Sequence, residues 1–184
     1  MGEQENSRVE TMTVGIVVER RDSNHPWADH LWRPVAVMPG AVAMDPAGPW
    51  KLLRQGDGWE QYLAGTLDIE IWRTDTEAYL DCLSADPPQI YIVLRADIDG
   101  EHEVVPFLAT VSTYEAQDCA DAGEDIVEGV PMPEQVMEWL KAFVELHHVQ
   151  EPFKKRRLRD KREDGPGEKP RYGRGSGWSD GHEF

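Results

Sequence analysis

The sequence predicts an α+β fold: a mainly antiparallel sheet, two short helices, one long C-terminal helix and a disordered tail. Three observations carry this expectation. Apolar residues recur with period two in several stretches, and an Asp99-Gly100 turn joins two of them as a hairpin. Helical spacing is confined to two short capped segments and one amphipathic stretch ending near residue 148, so the helices are segregated from the strands. Beyond Pro152 the periodicity stops and charged residues and glycine take over. Residues 11–149 are therefore assigned to a single globular domain, and residues 150–184 to a basic, then Gly-rich tail.

Residues 13–19 read as a strand with Val14, Ile16 and Val18 on one face. Residues 22–34 read as an ordered loop or a short helical turn. A second strand covers 32–38, and Pro39-Gly40 ends it. After the Asp45-Pro-Ala-Gly-Pro49 connection, residues 61–72 alternate as one long strand or as a hairpin about Gly65. Thr74 and Glu77 have capping-box spacing and open a short helix through Leu83. Ile90 to Leu94 is nearly all apolar, as a strand covered on both faces would be. Residues 104–111 return as its partner, and Pro106, lacking an N–H, requires a bulge or a sheet edge. Ser112 and Glu115 repeat the capping spacing for a second helix that Gly123 stops. In the last helix Val136, Leu140, Phe143 and His147 share a face with Trp139 and Val144, while Glu134, Glu138, Lys141 and Glu145 take the wet side.

Apolar residues make up 40% of the 184, with seven tryptophans, enough for a packed core. Residues 1–149 hold 9 Lys and Arg against 28 Asp and Glu, a formal −19, whereas residues 150–184 hold 10 against 7, a formal +3. The acidic body argues against nucleic acid as the main partner, because phosphate is repelled at range. The N-terminus has no apolar signal core, and no apolar run approaches the roughly 20 residues of a membrane span. Cys82 and Cys119 stand far apart and fit reduced thiols of a cytoplasmic protein.

Candidate chemistry is sparse. His25, Asp29, His30, His147 and His148 supply nitrogen and oxygen ligands for a metal if the fold gathers them. The simpler reading is a loop-ordering pair and a helix end where imidazolium complements the dipole. His102-Glu103 begins like a zinc-protease motif, but Pro106 stands where its second histidine belongs. The run Asp118, Asp121, Glu124, Asp125 and Glu128 reads as a solvated face rather than a catalytic cluster. No nucleophile elbow or phosphate-binding loop occurs, so no catalytic residue and no cofactor are assigned. Contact with a protein is the leading reading. Trp27, Trp32 and Arg33 are the anchors of one surface, and Phe153, Lys154, Lys155, Arg156 and Arg157 those of a second. Nonspecific nucleic-acid binding through residues 154–162 is an alternative.

Several phrases together carry a family resemblance. They are His25-Pro-Trp-Ala-Asp-His30, Trp32-Arg-Pro-Val-Ala-Val37, Arg73-Thr-Asp-Thr-Glu-Ala-Tyr79 and Tyr114-Glu-Ala-Gln-Asp118. Val127-Glu-Gly-Val-Pro-Met-Pro133, and His147-His148 through Glu151-Pro-Phe-Lys-Lys-Arg-Arg157, complete the set. Over about residues 14–157 the chain resembles the bacterial domain of unknown function 3305 family, whose genes accompany those of molybdenum- or tungsten-dependent formate dehydrogenases. The resemblance implies an accessory, maturation or small-subunit protein with a formate dehydrogenase subunit as partner. It supplies no catalytic residue. Some relatives carry names suggesting molybdopterin-guanine dinucleotide synthesis, which implies a role in molybdopterin cofactor metabolism as the alternative. The chain lacks the Gly-rich N-terminal nucleotide loop of such a transferase.

Overall fold

The computed structural model of the chain describes residues 9–148. Alternation along β1 (Val9–Asp22) buries Val14, Ile16 and Val18 completely on one face. Its antiparallel neighbours are β2 (His30–Pro39) and β4 (Trp59–Trp72). β3 (Lys51–Gly56) joins β4 through an Asp57-Gly58 turn, giving a four-stranded sheet in the order β2-β1-β4-β3. Pairing aligns one row across all four strands: Arg33 on β2, Glu19 on β1, Gln61 on β4 and Arg54 on β3.

β2 and β3 are the two edges of this sheet, so residues 40–50 must cross it to connect them. They pass over the face opposite the core at Ala41 and return to the core side by Trp50, and two glycines let them lie close. A Cβ at Gly15 would stand 2.9 Å from the Ala41 Cβ, and one at Gly65 would stand 2.6 Å from the Pro46 Cα. Gly65 also has φ +122, a conformation that L side chains rarely adopt. The Met44 carbonyl accepts the Thr66 N–H at 2.8 Å, and the Thr66 hydroxyl oxygen accepts the Met44 N–H at 2.9 Å. These bonds pin the crossing segment.

The second sheet has the order β6-β5-β7, with β5 (Gln89–Ala96), β6 (Val104–Thr110) and β7 (Ile126–Pro131), all antiparallel. Pro106 lies on the edge strand β6, opposite Leu94 where the register shifts, so its missing N–H costs no regular ladder bond. Three helices complete the fold: α1 (Thr76–Ser84) after a 3₁₀ turn over Arg73–Asp75, α2 (Thr113–Asp121) and α3 (Glu134–His147). The Ser112 hydroxyl caps α2 by accepting the Glu115 N–H, whereas no side chain caps α1.

One core joins both sheets to α1 and α3, with Ile16, Ile69, Tyr79, Ile92, Leu140 and Phe143 at its centre. Burial pushes the Tyr79 phenol up to about 12, and its hydroxyl oxygen accepts the Trp72 N–H at 2.9 Å. Truncating Phe143 to Ala removes a buried ring that packs on both Tyr79 and His147, a loss of about 3–5 kcal/mol.

The α+β expectation is corrected. Strands take 46% and helices 25% of the described residues, in two antiparallel sheets, and the C-terminal helix has only 14 residues. The fold is β-rich with two sheets. β3 escaped the pattern because all six of its residues are exposed and its apolar residues do not alternate. β7 escaped because its Glu-Gly-Val-Pro reads as loop. The tail expected to be disordered lies outside the described residues. Among the described residues no helix is long and apolar enough to cross a membrane.

Candidate functional site

The alternation that sends Val14, Ile16 and Val18 into the core sends Val17, Glu19 and Arg21 to the outer face of the first sheet. Glu19 is nevertheless only 4% exposed, because its neighbours close over it. Its Oε1 accepts from Arg21 Nε at 2.5 Å and from Arg33 Nε and Nη2 at 3.2 and 2.9 Å. Its Oε2 accepts from Gln61 Nε2 at 2.8 Å. Burial works against the charge, but the bonds from Gln61, Arg21 and Arg33 outweigh it and hold the carboxyl below its usual value.

The same row ends at Arg54, and Lys51 stands opposite Leu63 one step further along β3. Neither Lys51 nor Arg54 makes an ion pair or side-chain hydrogen bond among the described residues. Arg21, Arg33, Lys51 and Arg54 are four of the eight Lys and Arg in residues 9–148, and one carboxylate, Glu19, lies among them. Asp45 lies exposed in the crossing segment, and Asp68 and Glu70 share this face at its far end, where they pair with Thr13 and Thr11. The face is therefore cationic on an acidic chain. Between its edges lies a groove of about 480 Å³, lined by Val17, Val35, Ala36, Met38, Leu53, Arg54 and Gln61.

A second cluster holds the end of the sheet to the β5–β6 loop. Glu103 accepts the Trp32 indole N–H at 2.7 Å and bonds His30 Nδ1 at 2.7 Å. The Trp32 bond, with that of His30, outweighs burial and keeps this carboxyl below its usual value. His102 stacks on Trp50 with ring centroids 4.0 Å apart and bonds the Gly48 carbonyl oxygen at 2.8 Å. Trp32, Trp50 and Tyr62 pack on one another beneath. This cluster joins the two sheets and uses its polar atoms internally.

The residues singled out from sequence fall in different places. Trp27 stands 88% exposed on the loop before β2. Trp32 is half-buried, and its N–H is held by Glu103. Arg33 lies on the cationic face with Leu31, which is 58% exposed. Phe153, Lys154, Lys155, Arg156 and Arg157 lie outside the described residues. His25 and Asp29 are exposed, His30 pairs with Glu103, His147 is buried against Phe143, and His148 bonds the Thr76 hydroxyl at 3.1 Å. Among the described residues no three His, Cys, Asp or Glu side chains are grouped to hold a metal ion, so the five residues of the metal alternative do not converge. In the acid run, Asp125 forms a bidentate pair with Arg95 at 2.7 and 2.9 Å, which holds its carboxyl low. Asp118, Asp121, Glu124 and Glu128 are exposed. Both cysteines are free thiols.

Sequence reasoning missed Glu19, Gln61, Lys51 and Arg54. The available signal was the Asp57-Gly58 dipeptide, a strong hairpin mark. Recognising that hairpin would have put Arg54 opposite Gln61.

No curated protein and no solved structure matches the chain. A family model described as "Protein of unknown function (DUF3305)" matches residues 13–157, which takes in both sheets and all three helices. The chain belongs to the DUF3305 family of proteins of unknown function.

Proposed function

We propose that this chain is a non-catalytic accessory or small-subunit protein that acts by protein–protein contact. One observation carries the reading: the outer face of the first sheet offers Lys51 and Arg54, which have no ion pair among the described residues, with exposed Leu31 and an apolar groove, on an otherwise acidic body. Arginine beside apolar surface is the composition of interface anchors, and Trp27 adds an exposed aromatic ring on the loop leading into the edge strand. The resemblance supplies the setting, a cytoplasmic molybdenum- or tungsten-dependent formate dehydrogenase, with one of its subunits as the partner. The test is to recover tagged chain from its host at low salt and identify the proteins that accompany it. A dehydrogenase subunit is expected in the wild-type eluate and reduced several-fold with Trp27→Ala. An eluate free of dehydrogenase subunits at low salt overturns the reading.

A further inference from the structure

We infer that the outer face of the first sheet binds an extended, carboxylate-bearing segment of a partner protein, laid across the strands from β2 to β3. This rests on the reading of the chain as a contact module and names the chemistry of what it contacts.

The charge balance sets the sign of the ligand. Arg21 and Arg33 share the single carboxylate of Glu19, so one of those two positive charges is left uncompensated. Lys51 and Arg54 add two more without a counter-charge among the described residues. Arg33 gives Nε and Nη2 to Glu19, which leaves its Nη1 without a partner among the described residues. Carboxylates are the groups that such guanidinium forks take.

Shape sets the class of ligand. Sites for small molecules enclose 70–90% of what they bind, whereas this groove lies on the outer face of one sheet and is lined from all four of its strands. A chain segment suits it better. Arg33 and Arg54 occupy the two ends of one cross-strand row, three strand spacings or about 14 Å apart. An extended segment advances about 3.3 Å per residue, so acidic residues at positions i and i+4 span that distance. Residue i+2 points the same way as both and stands at mid-row between Glu19 and Gln61, from where a long apolar side chain reaches Val17 in the groove, one same-face step along β1. The segment thus reads acidic, any, apolar, any, acidic. A second copy of this chain is disfavoured as the occupant, because residues 1–149 carry a formal −19 and two such bodies repel.

The test uses the full chain and fluorescent nine-residue peptide pools, with Glu fixed at i and i+4 and Leu at i+2, read by anisotropy at about 0.1 M salt. Matched pools carry Lys or Gln at the two outer positions, or Ser in place of Leu. Binding of the Glu–Leu–Glu pool is expected, with at least about tenfold loss for Arg54→Glu and for Lys51→Glu and no change of Tm, since both side chains are exposed. Equal binding of the Lys pool, or no loss with either variant, overturns the proposal, as does tight binding of free glutamate or citrate that makes the peptide dispensable. Dimerisation of the chain that Arg54→Glu abolishes overturns it in favour of a second copy. Recovery of the same host partner by wild type and Arg54→Glu sinks this site while the contact-module reading stands. Recovery of nothing by wild type sinks that reading itself.

Discussion

Replacing Glu19 with Gln keeps the shape of the side chain and removes its charge. The carboxylate holds three guanidinium contacts on Oε1 and the Gln61 amide on Oε2. In Glu19→Gln the amide oxygen retains the arginines as neutral-acceptor bonds, about half as strong as charge-assisted ones. Its NH₂ then faces the NH₂ of Gln61, which must turn over to present its oxygen. Arg21 and Arg33 are 54% and 49% exposed, so water recovers part of what they lose. The expected cost at pH 7 is about 1–2 kcal/mol, between that of a surface pair and that of a bond to a buried charge.

The pH dependence sharpens the test. The folded chain holds the Glu19 carboxyl below its usual value. Its stabilisation is therefore fully present above the unfolded value of about 4.3 and is lost as pH falls through the lower folded value. Urea unfolding of wild type and Glu19→Gln at several points between pH 7 and about pH 3 measures the difference directly. A gap of about 1–2 kcal/mol is expected at pH 7, closing towards zero at the acid end. A gap that stays constant across that range refutes the argument, because the arginines would then be recognising the shape of the side chain and not its charge.

Two further predictions concern the crossing segment and the thiols. Gly65→Ala sets a Cβ against backbone atoms of Pro46 at φ +122 and is expected to cost about 2–4 kcal/mol. Gly15→Ala meets the Ala41 Cβ and the movable end of Leu63 and costs less, about 1–2 kcal/mol. Thermal unfolding ranks the two, and the reverse order contradicts the path assigned to residues 40–50. Burial pushes the Cys82 thiol up, against its weak bond to the Gln89 carbonyl oxygen at 3.4 Å, whereas Cys119 is half-buried. Thiol titration of the native chain near pH 8 is expected to read one fast group and a second only on unfolding; two fast groups refute the burial of Cys82.

The sequence revealed most where one face of an element is buried. Val14, Ile16 and Val18, and then Val136, Leu140 and Phe143, alternate or repeat because each set meets the core. The Ser112 cap formed as its spacing implied, but the same spacing at Thr74 did not, because the chain enters α1 through a 3₁₀ turn in which the Thr74 hydroxyl bonds Asp75. β3 was invisible because an edge strand exposed at all six residues has no apolar face to announce it. The cationic face was hidden for a related reason. Arg33, Glu19, Gln61 and Arg54 come from four strands and meet only through register, which no local window contains.

Averaging charge along the chain concealed a division that the pleat makes visible. At physiological salt the Debye length is about 8 Å, less than two strand spacings. A partner seated on the outer face therefore responds to Arg21, Arg33, Lys51 and Arg54, and little to the carboxylates at its far end. At longer range the net −16 is what the partner meets, and it repels a segment that carries carboxylates. Encounter is then opposed rather than steered, and association falls at or below the unassisted range of about 10⁵–10⁶ M⁻¹s⁻¹. Discrimination among acidic segments must reside in dissociation, after the carboxylates reach Arg33 and Arg54 and the apolar residue enters the groove. The residues that decide affinity are thus those that hold a docked segment, which places Arg54 and the lining of the groove ahead of the chain's overall charge.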